Sequence, residues 1–169
     1  MLTSLLECGD PRVRYIQIKI PDIDALTTLN LREDIVYFDG TNYWLTLFID
    51  ENDYDPIQTG EGTELKQTAN GWFISRQLMP KGFNAKFTYT ETNIRIAIMR
   101  IARYHAINNT ITTIIDTVSP EEKDFELGYT IRQGIIKSPI TYKGASHPGS
   151  TYSANGFTFT FMEKANYYV

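Results

Sequence analysis

Few residues of this chain have the chemistry that catalysis or metal binding requires, and they are not grouped. The 169-residue sequence contains two histidines, His105 and His147, and one cysteine, Cys8. A zinc site needs about four ligands at convergent spacing, and neither histidine has such neighbours. The glycine-rich phosphate loops and the nucleophile elbow of serine hydrolases are also missing from the sequence. We therefore predict that the protein is not an enzyme and needs no metal or cofactor.

The histidines and the cysteine have simpler structural interpretations. His105 ends an apolar helical stripe, where a core or boundary histidine is expected. His147 lies in a loop rich in glycine and proline and is expected to be exposed. A single cysteine forms no intrachain disulfide, so Cys8 is an inert thiol or, as the alternative, a catalytic or interchain one.

The acidic segment that begins at Asp50 matches a calcium-binding loop only in part. Counted from Asp50, Asn52 and Glu61 occupy the third and twelfth positions, as in such a loop. Tyr54 occupies the fifth position, and Asp55 occupies the sixth, where the turn requires glycine. Two interpretations remain, a calcium site and a solvated loop or subunit contact, and we favour the second.

Aromatic residues are more frequent than a small core requires. They make up 13% of the chain, including 11 tyrosines. Tyrosine offers a broad apolar surface with a polar tip, which suits subunit interfaces. The two tryptophans follow turns and are either core anchors or rings that stack on sugars. We predict an interaction surface that includes Trp44, Tyr54, Trp72, Tyr142, His147 and Tyr152.

Composition places the chain among globular proteins. Hydrophobic residues are 42% and charged residues 21%, and the net charge is −4. An acidic protein has no electrostatic reason to bind nucleic acid, so we expect no such partner. No stretch approaches the roughly 18 apolar residues of a membrane span. The first residues lack the basic region of a signal peptide, so we expect synthesis as a soluble cytoplasmic chain.

Strand signals dominate the sequence. Residues 12–20 alternate, with Ile16, Ile18 and Ile20 on one face. The segment Asp39-Gly-Thr-Asn predicts a hairpin between two β-prone runs, and Asn70-Gly71 predicts another tight turn. The strictly alternating run 157–161 predicts a strand with one aromatic face.

Two helices are expected beside these strands. Apolar residues recur at helical spacing over 93–106 and would bury an isoleucine stripe; the alternative there is a strand. Ser119-Pro-Glu-Glu has the order of a capping box and predicts a short helix near 120–127 that Gly128 ends.

We predict a mainly β, α+β fold of small antiparallel sheets or a β-sandwich with one packed helix. The domains are a β-rich module at 1–80 and a helix-plus-strands module at 81–169, with one continuous domain as the alternative.

Residues 24–77 carry an ordered series of short motifs. A helical turn leads to a β-prone run, an aromatic strand, an acidic loop and a closing tryptophan; the matching residues are Ala25, Leu26, Leu29, Ile35–Phe38, Gly40, Tyr43, Trp44, Asp53–Asp55, Gly60, Gly62, Thr63, Gly71, Trp72 and Arg76. This order resembles a β module of bacteriophage tail fibres, tailspikes and other virion appendages. The resemblance covers about a third of the chain.

The resemblance implies a structural virion protein, such as a fibre, appendage, neck or tail component, located in the virion. Its expected partners are other virion structural proteins, copies of itself in a ring or trimer, and a host surface glycan. The alternative is a carbohydrate-binding β-sandwich, which shares the aromatics and turns.

Overall fold

A computed structural model describes residues 14–57, 62–77, 82–87, 92–121, 124–142 and 157–164 of the protein. The strands are β1 (Tyr15–Ile20), β2 (Val36–Phe38), β3 (Tyr43–Phe48), β4 (Tyr54–Ile57), β5 (Gly62–Thr68), β6 (Gly71–Gln77), β7 (Gly82–Phe87), β8 (Thr112–Asp116), β9 (Thr130–Tyr142) and β10 (Phe157–Glu163). Among the described residues, the helices with defined bounds are α1 (Thr92–Asn108) and two 3-10 helices, Asp24–Leu29 and Glu51–Asp53.

Eight of these strands form one antiparallel sheet in the order β2-β3-β1-β8-β9-β10-β7-β4, and β5 and β6 form a separate hairpin. The mainly β prediction is confirmed. Strands from both predicted modules meet in the large sheet, because β1 pairs with β8 and β4 pairs with β7. The sequence predicts several small sheets, whereas most strands belong to one large sheet, because strands distant in sequence pair with each other.

One face of the sheet carries the core. Strand β10 places Phe157, Phe159 and Phe161 on this face, each at most 3% exposed. In register, Phe83 of β7 lies opposite Phe161, and their ring centroids are 5.4 Å apart. Facing aromatic pairs of this kind stabilise neighbouring strands beyond the area they bury. The alternation predicted for 157–161 is thus confirmed, with the aromatic face inward.

Helix α1 covers this core face with its apolar stripe. Ile94, Ala97, Ile98 and Ile101 belong to the same buried cluster as the core side chains of the sheet. The helical interpretation of residues 93–106 is confirmed. The helix ends as a left-handed cap requires: Asn109 has a φ of 51°, and the next N–H donates to the carbonyl of His105 at 3.0 Å.

The predicted hairpin turn after β2 is also present. The N–H groups of Thr41 and Asn42 donate to the carboxylate of Asp39 at 2.8 and 2.7 Å. Gly40 has a φ of 97°, which glycine adopts without strain. A short side chain that binds backbone two residues further on favours such a turn.

The sequence predicts a second, short helix near 120–127. The described residues at the end of this segment, 125–128, form a run of turns. The N–H groups of Leu127 and Gly128 both donate to the carbonyl of Asp124, at 3.0 and 3.1 Å. Gly128, with a φ of 78°, ends this run, as its position in the sequence predicts.

Candidate functional site

Asp116 ends β8, and its carboxylate is completely buried. Oδ1 accepts hydrogen bonds from the backbone N–H groups of Val118 and Ser119 at 2.9 and 3.2 Å. Oδ2 accepts one from the Tyr54 hydroxyl at 2.7 Å and one from Nε of Arg132 at 2.9 Å. The side chain therefore forms the turn after β8 and receives two buried donors from other strands.

Arg132 extends this network to the next strands. It lies on β9, and its side chain is 10% exposed. Nη2 donates to the carbonyl of Ser119 at 2.6 Å, and Nη1 lies 3.5 Å from Glu121 and 3.3 Å from Glu163. The planar fork of arginine suits several simultaneous acceptors. We refer to Tyr54, Asp116, Glu121, Arg132 and Glu163 as the charged cluster.

Burial and neighbouring charges shift the pKa values of two members of the charged cluster, Arg132 and Tyr54. Burial lowers the pKa of Arg132, but the hydrogen bond and charge of Asp116, with Tyr54 and Glu163, outweigh burial and raise that pKa. Burial, the charge of Asp116 and the hydrogen bond to it raise the pKa of the Tyr54 hydroxyl well above its ordinary value. Arg132 therefore stays charged and Tyr54 stays neutral at neutral pH. This arrangement of fixed charges and hydrogen bonds suits a structural role, in which the charged cluster holds neighbouring strands together.

The loop between β8 and β9 is braced beside the charged cluster. The Thr130 hydroxyl accepts the N–H of Glu121 at 2.7 Å and donates to the carboxylate of Asp124 at 2.9 Å. Thr130 is 3% exposed, so these bonds replace water at a buried position. They tie the loop that carries Glu121 to the first residue of β9.

His105 is half-buried at the end of α1, as the boundary interpretation predicts. Its Nδ1 lies 2.8 Å from the hydroxyl of Thr110, while its Nε2 is buried without a hydrogen-bond partner. Burial, followed by the positive charge of Lys19, lowers the pKa of the imidazole. A neutral ring at neutral pH follows, because the charged form would lose its hydration.

Buried Trp44 and exposed Asp39 form a second side-chain contact, at the turn between β2 and β3. The Nε1–H of Trp44 donates to Oδ2 of Asp39 at 2.8 Å. Hydrogen bonds from the backbone of Asn42, from the Trp44 side chain and from the backbone of Thr41 lower the pKa of Asp39 to about 2. This hydrogen bond therefore helps to hold the conformation of the turn.

The predicted interaction surface stays a prediction, and the side chains of two of its residues are described. Trp44 and Tyr54 are each 8% exposed, so their side chains contribute to the protein interior and leave little area for a partner. Trp72 lies on β6 and Tyr142 ends β9, but their side chains are not among those described. His147, Tyr152 and Cys8 lie outside the described residues.

The structure instead exposes apolar residues on the other face of the sheet. Ile131 and Ile135 of β9 are 58% and 51% exposed. In register, Ile131 lies opposite Ile115 of β8, and Ile135 lies opposite Met162 of β10. We refer to these four residues as the outer patch. Alternation along β9 signals a two-faced strand, but it does not tell which face is covered.

The acidic segment after Asp50 forms a turn and the start of an edge strand. The carboxylate of Asp50 accepts the N–H of Asn52 at 2.9 Å, and β4 begins at Tyr54. Glu61 lies outside the described residues. In the parts of the chain that the structure describes, no group of three or more His, Cys, Asp or Glu side chains could hold a metal ion.

None of the helices in the described ranges combines the length and hydropathy needed to span a membrane. Comparisons with protein family models, with curated proteins and with solved structures found no match to this chain.

Proposed function

We propose that the protein is a non-enzymatic structural component of a bacteriophage virion. In this role it is a fibre, appendage, neck or tail protein that acts by assembling with copies of itself and with other virion proteins. It is synthesised in the host cytoplasm and resides in the virion. The motif order of residues 24–77 supports the class, since that order resembles the β module of phage appendages.

The observation that carries the assembly role is the outer patch. Two of its isoleucines, both on β9, are more than half exposed, and their partners Ile115 and Met162 lie on the adjoining strands β8 and β10. Contiguous exposed apolar residues on a soluble domain are typical of protein–protein contact sites. The charged cluster supports a structural protein in a second way, because its buried polar groups are engaged in joining strands and loops of this chain.

A host glycan is a second candidate partner, favoured by one exposed aromatic pair. The rings of Phe38 and Tyr43 lie 4.6 Å apart and are 49% and 36% exposed. Aromatic rings with an open face pack against the apolar face of a sugar. Under this alternative the protein is a carbohydrate-binding module.

The test of the proposed function is the protein content of purified phage particles. Particles of the phage that encodes this chain should contain its peptides in fixed stoichiometry by mass spectrometry, and antibodies against it should label one location by electron microscopy. A chain that is abundant in infected cells and absent from washed particles would contradict the proposal. Titration of purified protein with host glycans, followed by Phe38→Ala, tests the second candidate separately.

A further inference from the structure

The outer patch has a basic border. On adjoining strands β9 and β10, the apolar pair Ile135–Met162 is followed in the ladder by Lys137 opposite Thr160. On the other side of the pair, the N–H of Lys164 donates to the carbonyl of Gln133. Both lysines are exposed. An apolar centre with two flanking cations fits a partner that has an apolar centre and an acidic border.

The same chain presents such a surface at the end of the sheet where β1, β2 and β3 meet. Its apolar centre is the exposed pair Phe38 and Tyr43. Three exposed carboxylates, those of Asp22, Asp24 and Asp39, follow β1 and β2 at this end. We refer to these five residues as the acidic end. The carboxylates concentrate negative charge here on a chain whose net charge is −4.

The two surfaces belong to opposite faces of the sheet. Tyr43 lies opposite the buried Ile20 and shares the core face with it. Ile115 of the outer patch lies opposite Gln17, which is next to core-facing Ile18. Successive side chains of a strand point to opposite faces, so Gln17 and Ile115 face away from the core. A sheet separates them within one molecule, so contact between them requires two molecules.

We infer that the outer patch of one copy binds the acidic end of a second copy of this chain. The inference rests on the proposed role in assembly and names the surfaces that carry it. Pairing two outer patches would place lysines against lysines, which electrostatics disfavours. The contact is therefore heterologous, and repeated head-to-tail contacts close into a ring or continue as a filament.

The experiment is a charge swap followed by light scattering and sedimentation over a range of protein concentrations. Lys164→Glu, alone or with Lys137→Glu, should weaken self-association roughly tenfold or more, because like charges then face each other. Asp24→Lys should weaken it similarly. The combined variant Lys164→Glu/Asp24→Lys should recover association, since the pair is restored with its signs exchanged.

Arg103→Glu is the matched control, because Arg103 is exposed on α1 and the substitution changes the net charge equally. It should leave association unchanged. A wild-type protein that stays monomeric at every concentration, an equal effect of Arg103→Glu, or no recovery in the combined variant would each overturn the inference. The presence of the chain in purified particles is measured independently of self-association. A failure of the proposed interface therefore leaves the proposed function untouched, and absence of the chain from particles leaves the measured interface untouched.

Discussion

The hydroxyl of Tyr54 on β4 donates a 2.7 Å hydrogen bond to Asp116 on β8. In the sheet, three strands, β9, β10 and β7, lie between β8 and β4. Neighbouring strands are about 4.8 Å apart, so β4 and β8 would lie about 19 Å apart in a flat sheet. A tyrosine and an aspartate side chain are too short to bridge that distance. The sheet must therefore curl toward its core face, and this bond joins edge strand β4 to the middle of the sheet.

Removal of the Tyr54 hydroxyl should destabilise the protein without changing its fold. Tyr54→Phe deletes a hydrogen bond to a buried carboxylate, which should lower the free energy of unfolding by about 1.5–3 kcal/mol. Urea denaturation followed by circular dichroism measures this. Tyr104→Phe is the control, because Tyr104 is 37% exposed. If Tyr54→Phe and Tyr104→Phe were equally stable, the hydrogen bond from Tyr54 to Asp116 would not stabilise the fold.

Replacement of Arg132 should have a larger effect. Arg132→Met leaves the carboxylate of Asp116 buried without its cation, which should cost about 3–5 kcal/mol. Adding Asp116→Asn should recover part of the loss, and the double-mutant cycle measures the coupling. Lys137→Met, at an exposed position of the same strand, is the control. Arg132→Met with wild-type stability would show that the charged cluster does not hold the sheet.

Stability should fall at alkaline pH. The pKa of Tyr54 is raised as described above, and burial, followed by the charge of Tyr129, raises the pKa of Tyr15 to about 12. Above the unfolded pKa of about 10, the unfolded chain loses protons that the folded chain keeps, so the stabilisation is complete below about pH 10 and declines above it.

Denaturant midpoints measured from about pH 8 to about pH 12 test this decline, and Tyr54→Phe should make it shallower. A midpoint that does not change over this range, in wild type and variant alike, would exclude the predicted linkage.

A side chain at Gly134 should disturb the pairing of β9 with β10. A Cβ at this position would overlap the backbone carbonyl oxygen of Met162, which has no flexible atom to move. Gly134→Ala should therefore lower the free energy of unfolding by about 1–3 kcal/mol. Gln133→Ala, at the neighbouring exposed position, is the control in thermal denaturation. A Gly134→Ala variant that is as stable as the wild type would mean that the backbones of β9 and β10 are not in close contact here.

Truncation of the helical stripe should cost more than truncation of the exposed side of α1. Ile98 is completely buried, and Ile98→Ala should lower stability by about 2–5 kcal/mol through lost burial and the remaining cavity. Met99, on the next position, is 48% exposed, so Met99→Ala should change little. Similar losses for both variants would contradict the packing of α1 on the sheet.

The sequence by itself determined the local elements of this protein. The period-two alternation of Ile16, Ile18 and Ile20 predicts β1, and the apolar spacing from Ile94 to Ile101 predicts α1. The turn at Asp39 follows from a glycine that adopts positive φ and a carboxylate that binds nearby backbone. These features depend on residues close in the chain, so periodicity and turn chemistry suffice to find them.

Only the tertiary structure decided which faces are buried and which charges meet. Asp116 lies 62 residues from Tyr54 and 16 from Arg132, and no local pattern pairs them. Alternation in β9 separates Ile131 from Arg132 but favours burying the isoleucine, whereas the arginine lies inside. Burying a charged group is costly unless distant partners compensate it, and only the assembled sheet brings those partners together.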